Sequence, residues 1–140
     1  MKFYQLSVLI AATALLLFSN CKKKDTTTTT TCTAGSGGTI AIVAYAVHNG
    51  DTLINYGSHP DTAFVKYNTT TSPGTLPSNF DTYFVSDAGE DHVHCESLKC
   101  GDYYIYRTAF DSVANKVYRG GTSVNLAAGA IEKDVFITVN

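Results

Sequence analysis

The chain has 140 residues, of which ten are basic and twelve are acidic, so its formal net charge is −2. That length corresponds to one domain rather than two. Hydrophobic residues make up 44% and charged residues 16%, which excludes a wholly disordered chain, and the weak net charge gives no support for nucleic-acid binding.

Residues 1–20 are predicted to form a signal peptide. Lys2 precedes residues 6–18, a thirteen-residue segment that is apolar except for Ser7 and Thr13. As a helix this segment spans about 20 Å, which is short of the roughly 30 Å hydrocarbon core of a bilayer. A basic start and a short apolar segment are typical of a secretory signal rather than a membrane span.

The end of this segment predicts lipidation. Residues 18–21 read Phe-Ser-Asn-Cys and are followed by three lysines and an aspartate. This resembles the lipobox of bacterial lipoproteins, in the looser form of Bacteroidota, and implies cleavage before Cys21 and its acylation. The resemblance implies an outer-membrane lipoprotein on the periplasmic or the cell-surface face, held by acyl methylenes worth about 0.8 kcal/mol each. The alternative is an ordinary secretory signal, with Cys21 free or removed.

Residues 21–38 are predicted to be a tether. They include six consecutive threonines and several small residues, a composition that cannot build a core. Four of the ten basic residues lie before residue 33, whereas residues 33–140 carry six basic and eleven acidic side chains, a net charge of −5. We therefore expect the basic cluster beside anionic headgroups and an acidic domain held off the membrane.

Residues 39–140 repeatedly alternate apolar and polar positions with period two, the pattern of strands. A turn signal at residues 87–90 predicts a hairpin between two of these strands. About seven short strands with regular turns are typical of a β-sandwich. We predict an all-β fold over residues 39–140, a single antiparallel Greek-key β-sandwich of about seven strands. The predicted strands cover residues 39–47, 53–56, 62–68, 80–86, 91–96, 102–111, 117–126 and 133–140.

A corner motif narrows the expected fold. Residues 98–103 read Leu-Lys-Cys-Gly-Asp-Tyr, which resembles the Leu-x-Pro-Gly-x-Tyr element of fibronectin-type, transthyretin-like and carboxypeptidase-regulatory-like sandwiches, with Cys100 in place of proline. A chain that crosses between sheets needs a buried anchor, a residue free in φ and a hydroxyl that bonds the arch backbone. The resemblance implies these structural roles for Leu98, Gly101 and Tyr103 in an Ig-like domain.

Three cysteines remain after Cys21, in a compartment that favours disulfides. Cys95 and Cys100 bracket the corner with four residues between them, so a Cys95–Cys100 bridge is the first expectation if the turn brings their Cα atoms within about 7 Å. A bridge from Cys32 to either of them and three reduced thiols are the alternatives. A metal or catalytic role for Cys95 is a further hypothesis.

His92 and His94 are candidate metal ligands. Alternate residues of a strand share a face, so both imidazoles point the same way. With a third ligand from His48, His59 or Glu90 they would suit zinc or copper. The alternative is that the histidines occupy the solvent face because Val93 and Cys95 face the core.

Two surface features suggest further roles. Tyr103, Tyr104 and Tyr106 lie on one strand, where an exposed aromatic face can bind a partner protein or a sugar. Five of the nine aspartates precede Thr or Ser, which resembles the O-glycosylation motif of secreted Bacteroidota proteins; turn formation by aspartate is the alternative. The implied glycan sites are Thr26, Thr52, Thr62 and Ser112.

The sequence contains no GxSxG, HExxH, P-loop or dinucleotide-binding motif, so we predict no enzyme and no cofactor. The expected function is that of a lipid-anchored, non-catalytic module with a structural or protein-interaction role, its partners being the membrane and an envelope protein. The alternative is a lipoprotein that binds a small ligand or a metal ion through His92 and His94.

Overall fold

The computed structural model describes residues 31–56 and 59–140, and every regular element longer than three residues within them is a strand. The signal peptide, Cys21 and Thr26 lie outside the described residues. The strands are β1 Ser36–His48, β2 Asp51–Thr52, β3 Thr62–Tyr67, β4 Thr82–Val85, β5 His92–Leu98, β6 Gly101–Asp111, β7 Lys116–Leu126 and β8 Glu132–Thr138, with one 3-10 turn at Pro77–Asn79. The predicted all-β class is confirmed, although residues 53–56 form no strand.

The strands form two four-stranded sheets. In sheet A, β1 is central, with β8 on one edge and with β5 and β2 on the other. In sheet B the order is β4-β3-β6-β7, and every pair is antiparallel. Successive strand groups alternate between the sheets, so each crossing brings apolar faces together.

The prediction of a purely antiparallel fold is wrong for one pair, because β8 runs parallel to β1. The pairing extends from Ala41 opposite Glu132 to Val47 opposite Thr138. Parallel neighbours need a long connection, and here the remaining strands of the sandwich supply it. Period-two alternation carries no information on strand direction, which is why the sequence pattern missed this.

The predicted hairpin across residues 87–90 is also wrong, because β4 belongs to sheet B and β5 to sheet A. A local turn does form there: Gly89 has a φ of 93°, and the Glu90 amide donates to the Asp87 carbonyl at 3.3 Å. The turn carries the chain across the sandwich instead of pairing its flanking strands.

The core lies between the sheets and is supplied by alternate residues of each strand. In β1 the inward positions are Ile40, Ile42, Ala44 and Ala46, all at most 5% exposed. Small alanines in the central strand leave room for the larger side chains opposite. The other apolar side chains that are at most 1% exposed are Ala63, Val65, Val93, Cys95, Leu98, Tyr103, Ile105, Ala109, Leu126, Ile137 and Val139.

The folded part begins before residue 39, so the predicted end of the tether at residue 38 is too late. Ala34 is buried in the core and β1 starts at Ser36. Cys32 forms a disulfide with Cys100, with their Cα atoms 5.0 Å apart. The predicted Cys95–Cys100 bridge is therefore wrong, and one of its alternatives is present. The reason is strand parity, since Cys95 points into the core whereas Cys100 lies in the turn beside the incoming chain.

At the corner between β5 and β6, Leu98 and Tyr103 are fully buried and Gly101 has a φ of 141°. The Tyr103 hydroxyl donates to the Lys99 carbonyl at 2.7 Å and accepts from the Gly35 amide at 3.0 Å. A Cβ on Gly101 would overlap the backbone of Ala34. The corner thus ties the start of the fold to the β5–β6 turn, at the same place as the disulfide.

Two ion pairs support sheet B. Arg107 and Asp61 are both buried, and Nη2 of Arg107 lies 3.3 Å from Oδ2 of Asp61. The other carboxylate oxygen of Asp61, Oδ1, accepts a hydrogen bond from the Phe110 amide. Desolvation raises the pKa of Asp61, while the Phe110 amide and the Arg107 charge oppose that shift. Nearer the surface, Asp81 accepts from Lys66 Nζ at 2.8 Å and from the backbone amide of Tyr67 at 2.7 Å.

Candidate functional site

His92 and His94 lie on the outer face of sheet A, because their neighbours fix the rotation of β5. Val93 and Cys95 are fully buried between the sheets. The imidazoles at the alternate positions therefore point away from the core, as strand geometry requires. Their ring centroids are 4.6 Å apart, and the two ring planes are nearly perpendicular, at 79°.

The polar atoms of this cluster converge on one nitrogen. Nε2 of His92 is 2.9 Å from Nε2 of His94 and 3.3 Å from Oε2 of Glu90. Nδ1 of His92, on the other side of the ring, is 2.7 Å from Oδ1 of Asp91. Glu90, Asp91 and His92 each place one ligand atom within 4.8 Å of the others. Of the candidate third ligands, the structure brings Glu90 to His92, whereas His48 and His59 make their ring contacts elsewhere.

The turn that carries Glu90 is held by Asn55, which is 2% exposed. The backbone amide of Asn55 donates to the Glu90 carbonyl at 2.8 Å, and the Gly89 amide donates to the backbone carbonyl of Asn55 at 2.7 Å. Nδ2 of Asn55 donates to the Ser86 hydroxyl at 2.8 Å and also reaches the Asp87 carbonyl. A side chain at the end of such a turn is supported by a fixed backbone.

A row of aromatic rings continues from the histidines across sheet A. Tyr45 of β1 lies opposite both His92 of β5 and Phe136 of β8. The Tyr45 ring stacks on Phe136 with centroids 4.7 Å apart and lies 5.4 Å from the His92 ring. Phe136 is 64% exposed, so this row is open to solvent. Tyr45 and Phe136 were not predicted as site residues, although the alternation of residues along their strands indicates which face each side chain occupies.

Carboxylates surround the aromatic row. Asp134 and Glu132 occupy the outward positions of β8, and Asp91 lies beside His92. The pKa of Tyr45 is raised, first by desolvation and then by the negative charges of Asp134, Asp91 and Glu132. The outward positions of β1, β5 and β8 include no lysine or arginine. The outer face of sheet A is therefore acidic and aromatic.

The remaining histidines lie elsewhere. Nδ1 of His48 is 2.9 Å from the Val139 carbonyl, and its ring stacks on Tyr118 at 3.8 Å. The His59 ring stacks on Phe110 at 4.1 Å. Both are engaged in packing contacts away from His92.

Cys95 is the free cysteine of the described residues, and it is fully buried. Burial raises the pKa of its thiol to about 12, against the lowering effect of the Arg107 charge. A reactive cysteine needs the opposite, a lowered pKa and access to solvent.

The described candidate glycan sites differ in accessibility. Ser112 is exposed in the β6–β7 turn, whereas Thr52 and Thr62 are half-buried. The preceding aspartates take part in the fold: Oδ1 of Asp111 accepts the amides of residues 113 and 114, and Asp61 pairs with Arg107. Turn and core roles therefore account for these two aspartates, and glycosylation stays a prediction.

Two larger grooves lie away from the histidine pair. One, of about 490 Å³, borders the disulfide and is lined by Ile40, Leu98 and Lys99 among others. The second, of about 420 Å³, lies beside Phe64 and Phe80 on sheet B. Neither is lined by a histidine or a free cysteine.

Comparison with known proteins finds no family model, no curated protein and no solved structure that matches the chain. Within residues 31–56 and 59–140, no helix has the length and apolar character needed to cross a bilayer.

Proposed function

We propose that this chain is a lipid-anchored, non-catalytic module of the outer membrane that binds an envelope protein through the outer face of sheet A. The observation that carries the proposal is the solvent-open row formed by His92, Tyr45 and Phe136. Large rings that lose contact with water on association are the side chains enriched at protein interfaces.

The two outer faces of the sandwich differ in a way that favours sheet A. On sheet B the chain itself covers the centre of the aromatic cluster, since Phe80 of the β3–β4 loop stacks on Tyr106, which is only 7% exposed, although Tyr83 at the edge strand is 64% exposed. On sheet A, Phe136 remains 64% exposed in the described part of the chain. A partner that covered Phe136 and Tyr45 would shield these rings from solvent, as Phe80 shields Tyr106 on sheet B.

The charges of the same face indicate the chemistry of the partner. Glu132, Asp134 and Asp91 surround the rings, and acidic surfaces attract basic ones and speed their encounter. A lysine- or arginine-rich segment could also place its cation over the Tyr45 ring. We therefore assign a basic protein surface as the partner, with binding that weakens as salt rises.

Several further elements belong to this proposal. The sequence of residues 18–25 supports a lipid anchor at Cys21 and an outer-membrane location. The corner at Leu98, Gly101 and Tyr103 supports an Ig-like or transthyretin-like sandwich with Greek-key connections. The burial and high pKa of Cys95 support a role without covalent catalysis.

Site-specific photo-cross-linking tests the proposed face. The full chain would be produced in its own cells with a photoreactive phenylalanine analogue at position 136 or, as a control, at position 83. Phe136 and Tyr83 are equally exposed, at 64%, but lie on opposite sheets. We expect a discrete cross-linked protein only from position 136, lost at high salt. Cross-linking from position 83 alone, or from neither, would contradict the proposed face, and an unacylated mature N-terminus in mass spectrometry would contradict the anchor.

A further inference from the structure

We propose that Glu90, His92 and His94 form a binding site for one divalent transition-metal ion of the zinc or copper type, with Asp91 as the outer carboxylate. This site goes beyond the partner-binding function. It lies at the histidine end of the aromatic row and shares His92 and Asp91 with the proposed partner surface, whereas Glu90 and His94 belong to the metal site alone.

The distances fit the ligand set. Zinc bonds to nitrogen and oxygen are about 2.0–2.2 Å long, so two donors of a tetrahedral site lie about 3.3 Å apart. The two Nε2 atoms are 2.9 Å apart, and Oε2 of Glu90 is 3.3 Å from Nε2 of His92. Nε2 of His92 thus lies within ligand spacing of both His94 and Glu90, and rotation of the exposed His94 and Glu90 side chains would bring the three atoms around one ion.

The environment of His92 fits the role of a ligand. A metal-bound imidazole characteristically donates its other ring N–H to a carboxylate, which orients the ring and increases its basicity. Asp91 Oδ1 lies 2.7 Å from Nδ1 of His92 and supplies that contact. With Nδ1 directed at Asp91, the nitrogen that would bind the ion is Nε2, which faces His94 and Glu90.

The backbone holds the ligands in place before the ion arrives. His92 and His94 belong to a strand anchored by the buried Val93 and Cys95. Glu90 follows a turn that Asn55 clamps through the backbone hydrogen bonds described above. Preorganisation of this kind lowers the entropic cost of assembling a site.

The donor set selects the class of ion. Two imidazoles and one carboxylate suit zinc and copper, whereas calcium and magnesium prefer all-oxygen ligands. His94 and Glu90 are exposed to solvent, so the fourth position would be taken by water or by a group from a second molecule. The neighbouring Asp134 and Glu132 add to the attraction for a cation.

Equilibrium dialysis of the full chain against zinc chloride, and separately copper chloride, tests the site. We expect one ion per chain, at least a tenfold loss of affinity in His92→Ala and in His94→Ala, and a 10- to 100-fold loss in Asp91→Asn. His59→Ala is the matched control, because His59 stacks on Phe110 away from the site, and it should bind as the wild type does.

Two results would overturn the proposal. One is the absence of stoichiometric binding to the wild-type chain at 1 mM metal, roughly the weak end of a specific site. The other is unchanged binding in the His92→Ala/His94→Ala double variant. Circular dichroism of each variant would verify its fold, which these surface substitutions should leave intact. Cross-linking from position 136 should be the same in His94→Ala, because His94 is a proposed ligand that lies outside the aromatic row, so the metal site and the partner surface can fail separately.

Discussion

The Cys32–Cys100 disulfide should contribute a large share of the stability of this domain. It closes a loop with a sequence separation of 68, joining the start of the fold to the β5–β6 corner. In the chain-entropy description, closing a loop of that length removes roughly 15 cal/mol/K from the unfolded ensemble, or about 4 kcal/mol at 25 °C. Domains are typically stable by only about 5–15 kcal/mol, so the reduced protein should be much easier to unfold.

Urea denaturation with and without reductant measures this contribution. With a denaturant dependence of about 1.5 kcal/mol/M, reduction should lower the midpoint by about 2.5–3 M. The Cys32→Ala/Cys100→Ala variant should unfold like the reduced wild type and should no longer respond to reductant. The Cys95→Ala variant should keep the full response, because Cys95 is the unpaired thiol.

The alternative Cys95–Cys100 pairing predicts a smaller contribution to the stability of the domain. A Cys95–Cys100 bridge would close a very short loop and contribute only about 2 kcal/mol in the same description. A response to reductant that disappears in Cys95→Ala, or a midpoint that reduction leaves unmoved, would refute the reasoning. Peptide mapping under non-reducing conditions would identify the linked cysteines directly.

Three further outcomes are expected from urea denaturation. Gly129→Ala should lower the free energy of unfolding by about 1 kcal/mol, because Gly129 has a positive φ but an added Cβ would meet open space. Gly101→Ala should lower it by at least twice as much, because Gly101 has a positive φ and an added Cβ would also overlap the backbone of Ala34. Arg107→Met should lower the free energy of unfolding by about 3–5 kcal/mol, because it leaves the buried Asp61 carboxylate without its ion-pair partner. The double variant with Asp61→Asn should recover part of that stability. For Asp81, desolvation alone would raise the pKa, but the combined hydrogen bonds and ion pair lower it below 3.8. A lowered folded-state pKa stabilises above the unfolded value, so the stability difference between wild type and Asp81→Asn, at most about 1 kcal/mol, should fade as the pH falls below about 4. A difference that grew in acid would contradict the last expectation.

The strands were predictable where alternation was regular. Within the predicted strand 39–47, the alternate residues Ile40, Ile42, Ala44 and Ala46 fall on one face, and in β1 these residues lie in the core. The position of Val93 similarly predicted the outward direction of His92. In these cases burial follows from the alternation of side chains between the two faces of a strand, which is a local property of the chain.

Pairing was not predictable, because it depends on contacts between distant residues. The parallel neighbour of β1 is the last strand, and nothing in either segment specifies the other. Cys32 lay in what read as tether, yet its partner is 68 residues away. At the candidate site the sequence indicated His92 and His94 but not which of His48, His59 and Glu90 lies beside them, since the position of Glu90 depends on how Asn55 holds its turn.

The parallel pairing of β1 and β8 has a mechanical consequence. Because the two strands run in the same direction, Asn140 lies beyond the carboxyl end of β1, where it exchanges backbone hydrogen bonds with Arg119, whereas Cys32 precedes the start of β1. The paired segment between these ends is about 20 Å long, given seven residues at roughly 3.3 Å each. Tension applied between residue 32 and Asn140 would slide β8 along β1, so the hydrogen bonds between these two strands would be loaded in shear and would have to break together. A domain pulled in this direction should resist extension far better than one whose terminal strands can be unzipped one bond at a time.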